Sequence, residues 1–195
     1  SKVFTGTALM HLHQNGQLDL DEDINNYLPF DIEIPNYEAD SITFRMLMTH
    51  TSSILDNDAP METYYSNGDP TIALGDVIQR YFSTSGTDYN SDLNFSNSAP
   101  GTAYEYSNMG TALAGYMVEA VSGTDFSDYC DTYIFDKLCM NSTSWYLADF
   151  DTNNVARPYE WYGGEYVPYA HYGFADYPDG QLRSSTLDLA NFLIS

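Results

Sequence analysis

Three polar features of this sequence could do chemistry. Lys2 stands at the head of the first helical pattern, and Tyr106-Ser107-Asn108 immediately precedes a segment apolar nearly all round. The third is a polar loop at 49–53, within "THTSSI". An amine, a phenol and a carboxamide can take up, pass on or hold a proton or a polar substrate. At the mouth of a buried helix such groups cost free energy unless they have a partner or a task. Each also has a structural explanation. Lys2 can be a solvated terminal residue, Tyr106 a core ring with its hydroxyl satisfied, and Asn108 a helix cap. Lysine is otherwise nearly avoided, Lys137 being the only other one.

The elements that must position these groups are mostly helical. Phe4, Ala8, Leu9 and Leu12 recur at helical spacing, predicting a helix over 2–15 that stops at Asn15-Gly16. A short turn ended by Pro29 follows. Its Asp19, Asp21 and Asp23 imitate a calcium loop, but Ile24 and Phe30 occupy the positions that need Gly and Glu, so these acids are read as solvated. "SITFRMLMTHTSSI" reads as a short helix capped by Ser41, 52–70 as loop, and 71–82 as helix. Residues 83–102 form a long polar loop, of a kind more often functional than idle. Met109, Leu113, Met117 and Ala120 line one face of the next helix, which Gly123 closes. A further helix capped by Thr124, a β-hairpin around Gly163-Gly164, and a last helix capped by Ser184 or Ser185 complete the chain.

The composition bounds the possibilities. With 195 residues, 43% of them hydrophobic, the chain has material for one substantial core. Its 28 acidic residues against 6 Lys plus Arg give a net charge of −22, a field that repels nucleic acid and anionic membrane. No run is long enough to span a membrane, and no signal peptide is visible. The chain opens directly on a helical pattern, which suggests that sequence is missing ahead of Ser1. Cys130 and Cys139 leave a disulfide open. No Cys/His spacing suggests zinc, and His11 and His13 diverge on a helix toward surface positions.

Taken together and in order, four segments resemble the serine β-lactamase-like family of class C β-lactamases, penicillin-binding carboxypeptidases and esterase relatives. Lys2 with the helix after it is similar to the helix carrying the family's Ser-x-x-Lys motif. "LMTHTSSI" resembles its His-Thr-Ser-Gly loop, "PGTAYEYSN" the segment with its Tyr-x-Asn motif, and "DGQLRSSTLDLANFL" its Gly-Gly-Leu-x-Ser-Thr segment. Ser53 and Gln181 stand where that pattern has Gly.

The resemblance implies catalytic roles for Lys2, Tyr106 and Asn108. A serine hydroxyl needs a neighbour that takes its proton, and a lysine one turn along the same helix lies on the serine's face. Such a lysine must itself be neutral, which burial at a positive helix N-terminus favours. Tyr106 would be the phenol that hydrogen-bonds the lysine and shares the proton. Asn108 would hold Lys2 and a polar group of the acyl substrate. The resemblance also implies a mainly α chain: one helical domain over 1–195 with one small β-hairpin, cut at both ends where strands of an α/β domain would begin. The nucleophile, three residues before Lys2, and the Lys- or His-Thr/Ser-Gly strand would then lie outside, leaving this chain inactive alone. The expected partner is a β-lactam, a D-amino-acid peptide or a small ester, with no cofactor, no nucleic acid, no membrane insertion and an extracytoplasmic location. Two readings compete with a hydrolase. One is a catalytically dead relative binding peptidoglycan fragments or a protein; the other is a cation-binding module built on the acidic loops.

Overall fold

The computed structural model describes residues 1–195. Helix α1 (Lys2–Gln14) leads through a 3-10 turn at Ile24–Asn26 to α2 (Phe44–Thr49), α3 (Asp58–Met61) and strand β1 (Tyr65–Asn67). Helices α4 (Leu74–Phe82), α5 (Asn108–Ser122) and α6 (Phe126–Cys130) follow, α6 running on as a π-helical turn over Asp131–Phe135. Then come β2 (Thr143–Ser144), β3 (Tyr159–Tyr162), β4 (Glu165–Pro168), β5 (Tyr172–Phe174), a 3-10 turn at Tyr177–Asp179, β6 (Arg183–Ser184) and α7 (Thr186–Ile194).

Helix α5 is the axis of the core. Met109, Ala112, Leu113, Met117 and Val118 are fully buried, and α1, α2, α4 and α6 pack around it. Apolar side chains on most faces of a helix can only be accommodated by such surroundings. Phe4 of α1 extends the core toward α6 and α7, its ring 5.6 Å from Phe135 and 4.2 Å from Phe192. Gly115 permits a close approach, since a Cβ there would stand 2.5 Å from the ring of Pro178. The turn carrying Asp179 is thereby laid directly on α5. No helix is long and apolar enough to cross a membrane.

The strands exceed the single hairpin expected. β3 and β4 do form it, turning on Gly163 and Gly164 at φ 63° and 94°. β1 also pairs antiparallel with β5, and β2 with β6, giving three two-stranded sheets. Strands of two or three residues are too short to show alternation, and their partners lie far along the chain.

Several local expectations are corrected. α2 is capped by Thr43, whose Oγ1 accepts from the Met46 N–H, and not by Ser41. α6 begins after Asp125 rather than Thr124, with the Glu119 carboxylate accepting the Phe126 N–H at 3.0 Å. α4 starts at Leu74, three residues later than the pattern indicated. His11 and His13 are half-buried: their Nδ1 atoms meet the Tyr129 hydroxyl at 2.6 Å and the Leu18 carbonyl at 3.0 Å. Cys130 and Cys139 are free thiols, one buried and one exposed. Asp19 and Asp21 do stay exposed, Asp21 in a surface pair with Arg45, whereas Asp23 is half-buried and caps the Ile24–Asn26 turn.

Candidate active site

The N-termini of α1 and α5 meet, and Asn108 is the point of contact. Its Oδ1 accepts from Lys2 Nζ at 2.7 Å and from the Tyr106 hydroxyl at 3.2 Å. Lys2 Nζ also donates to the Asp179 main-chain carbonyl at 2.8 Å and lies 5.1 Å from the Tyr106 ring centroid. An amine, a phenol and a carboxamide are thus gathered around one oxygen. The direct bond expected between phenol and lysine is replaced by this shared acceptor. Tyr106 is 53% exposed, so it is not the core ring that its apolar neighbourhood also allowed.

Local sequence explains how the Tyr-Ser-Asn triplet is held. The middle residue, Ser107, caps α5: its Oγ accepts from the Gly110 N–H at 2.9 Å and donates to Asp56 Oδ1 at 2.8 Å. Asn108 is therefore the first helical residue, not the cap. The Asp56 carboxylate takes the Asn108 and Met109 N–H groups at 3.0 and 2.9 Å, placing a negative charge at the positive end of the helix dipole.

His50 lies in the left-handed region at φ 55°, ending α2. Its Nδ1 accepts from the Ser107 N–H at 3.3 Å, and its ring packs on Tyr106 with centroids 4.7 Å apart. Burial and the nearby Lys2 charge lower its pKa, in keeping with a neutral ring whose Nδ1 is free to accept. The sequence points to the polar loop at 49–53 but not to His50 within it. For Asp56, Asp176 and Asp179 one acid among 28 carried no signal.

The two departures from glycine take distinct forms. Ser53 adopts φ 64°, where a glycine is favoured, and its hydroxyl donates to the Ser98 carbonyl at 2.8 Å. Gln181 is buried and ties β5 to the residue that follows β2, accepting from the Phe174 N–H at 2.7 Å and donating to the Trp145 carbonyl at 2.8 Å. Ser1 occupies the N-cap position of α1 without a side-chain cap bond, its Oγ instead accepting from the Leu182 N–H at 3.1 Å.

Beside Asn108 opens a cleft of about 280 Å³, walled by residues from 56–65 and 174–179. The long loop at 83–102 is not one of its walls. It stands behind the site, where Asn94 and Ser98 carbonyls accept from the Leu55 N–H and the Ser53 hydroxyl, bracing the segment that carries His50 and Asp56.

The beta-lactamase family model matches residues 1–195, and the chain belongs to that family. Among curated proteins it is 27% identical to Protein flp of Staphylococcus aureus (strain N315) over 194 residues, 99% of this chain and 36% of that protein. The octameric penicillin-binding protein homologue from Pyrococcus abyssi superposes with a TM-score of 0.68 at 25% identity, covering 98% of this chain and 42% of that one. The D-amino acid amidase from Ochrobactrum anthropi SV3 gives 0.66 at 26%, covering 98% and 51%. The chain thus spans about a third of the curated relative's length.

Proposed function

We propose that this chain supplies the lysine, tyrosine and asparagine of a serine acyl hydrolase. A serine one turn ahead of Lys2 would attack the acyl carbon, giving its proton to the Lys2–Tyr106 pair as the acyl-enzyme forms. The same pair would protonate the leaving group, and water would then release the acid and regenerate the serine. Asn108 would hold Lys2 in register and offer its amide to the substrate. The observation that carries this reading is the common acceptor, Asn108 Oδ1, which brings amine and phenol to one point. The substrate class is a β-lactam, a D-amino-acid peptide or a small ester, met outside the cytoplasm.

Residues 1–195 alone are expected to be inactive. Ser1 adjoins Lys2 directly instead of standing a turn away, and its hydroxyl is engaged with Leu182. The test is made on the full-length protein, with nitrocefin, p-nitrophenyl acetate and D-alanyl-D-alanine peptides as substrates. Acylation of a serine three residues before Lys2, seen by mass spectrometry, is the expected result. Lys2→Ala and Tyr106→Phe should each lower kcat by about 10²–10⁴-fold. Full-length protein that folds and is acylated by none of the three would support the binding-protein reading instead.

A further inference from the structure

The cleft beside Asn108 is lined by five acids: Asp56, Asp58, Glu62, Asp176 and Asp179. Asp56 is spent on the α5 N-terminus, and Asp58 and Glu62 are at the exposed rim. The other two are different. Asp176 is 4% exposed, and its Oδ1 has no hydrogen-bond partner in the protein. Asp179 is 7% exposed, and only its main-chain groups are hydrogen-bonded. A buried carboxylate oxygen left without a donor is what an incoming donor would satisfy.

We propose that this cleft is an ammonium subsite, recognising the free amino group of an acyl substrate such as an amino-acid amide, ester or peptide while its acyl carbon lies at Lys2 and Asn108. The proposal rests on the hydrolase reading and narrows it to substrates carrying a cation close to the scissile bond. Charge, shape and donor count agree. Burial, with the nearby Asp56 charge added, pushes Asp176 up to about 6, and burial followed by repulsion from Asp176 pushes Asp179 up to about 8. Lys2 opposes both shifts, and a further cation in the cleft would favour both charged forms in the same way. Tyr65 and Phe174 form an aromatic wall, their centroids 5.4 Å apart, and aromatic faces attract ammonium groups. A metal ion fits less well, because nowhere do three carboxylate, imidazole or thiolate groups converge as ligands. The net charge of −22 draws cations toward such a cleft and opposes carboxylate-bearing substrates such as β-lactams.

Two measurements on the full-length protein separate this proposal from the reading beneath it. Calorimetric titration with alaninamide of either hand should show binding, and N-acetylalaninamide should bind at least tenfold more weakly. Equal affinity for both, or binding of neither, overturns the subsite. Steady-state kinetics should likewise favour alanine p-nitroanilide over its N-acetyl form by tenfold or more in kcat/KM. Asp176→Asn should cut that preference to within about threefold; an unchanged preference in a folded variant overturns the assignment. If Asp176→Asn does not fold, Asp179→Asn and the exposed Glu62→Gln are read by the same ratio. Binding that discriminates by charge without hydrolysis of any substrate would remove the hydrolase reading and leave the subsite standing.

Discussion

Asn108 Oδ1 accepts from two donors at once, and the weight of the site at residue scale falls on what keeps that oxygen still. Its backbone N–H is held by Asp56, the carboxylate that also takes the Met109 N–H and the Ser107 hydroxyl. Asp56→Asn keeps the shape but replaces one acceptor oxygen by an NH₂ that faces other donors. A buried donor without a partner costs about 1–3 kcal/mol, so a loss near 2 kcal/mol is expected in denaturant unfolding. In the full-length protein kcat should fall with it, because Asn108 is freed to turn. A variant as stable and as active as the parent would mean that the helix end finds its acceptors elsewhere.

At the scale of elements, the site exists because α5 touches α1 on one side and the Tyr177–Asp179 turn on another. Gly115→Ala tests the second contact. Replacing glycine by alanine inside a helix gains roughly 0.5–1 kcal/mol. Here the new methyl would lie 2.5 Å from the Pro178 ring, a rigid neighbour, and overpacking costs about 1–3 kcal/mol. The clash should win, with a net loss of about 1 kcal/mol in denaturant unfolding. The displaced turn would draw the Asp179 carbonyl away from Lys2, so kcat/KM should drop although residue 115 touches no substrate. The helical elements were legible because their apolar periods repeat within the segment: α1, α5 and α7 stand within a residue or so of where the pattern put them. The caps of α2 and α6 were not, since Ser41 and Thr124 compete with Thr43 and Asp125 nearby. Only packing decides which residue the first turn begins after.

Over the whole molecule, burying acids in an already acidic chain ties stability to pH. Burial raises Glu119 to about 7, Asp131 to about 6, Asp176 to about 6 and Asp179 to about 8. Each keeps its proton to higher pH in the folded chain than in the unfolded one, where carboxylates titrate near ~4. Between ~4 and those raised values the folded state binds more protons, so its stability falls as pH rises through that window. Calorimetric melting should therefore give a higher Tm at pH 5 than at pH 8. Added salt should raise the Tm at pH 8 by screening the −22 charge. A Tm that climbs from pH 5 to pH 8 would show that these carboxyls are not buried as described.

Although α3 and β1 fall within 52–70, which reads as loop, the sequence alone carries the other helices, the Gly163-Gly164 hairpin and the order of segments that resembles the family. All of these are written in neighbouring residues, where periodicity, turn chemistry and short motifs act. It also singled out Lys2, Tyr106 and Asn108, but not how they meet. That meeting joins positions 106 residues apart, and the carbonyl that fixes Lys2 lies 177 residues away. Only tertiary structure chose Asp56 to anchor α5, paired the two- and three-residue strands, and closed Asp176 and Asp179 around a cleft. An acid's role depends on the burial and charge of groups distant in the chain, and no local pattern encodes either.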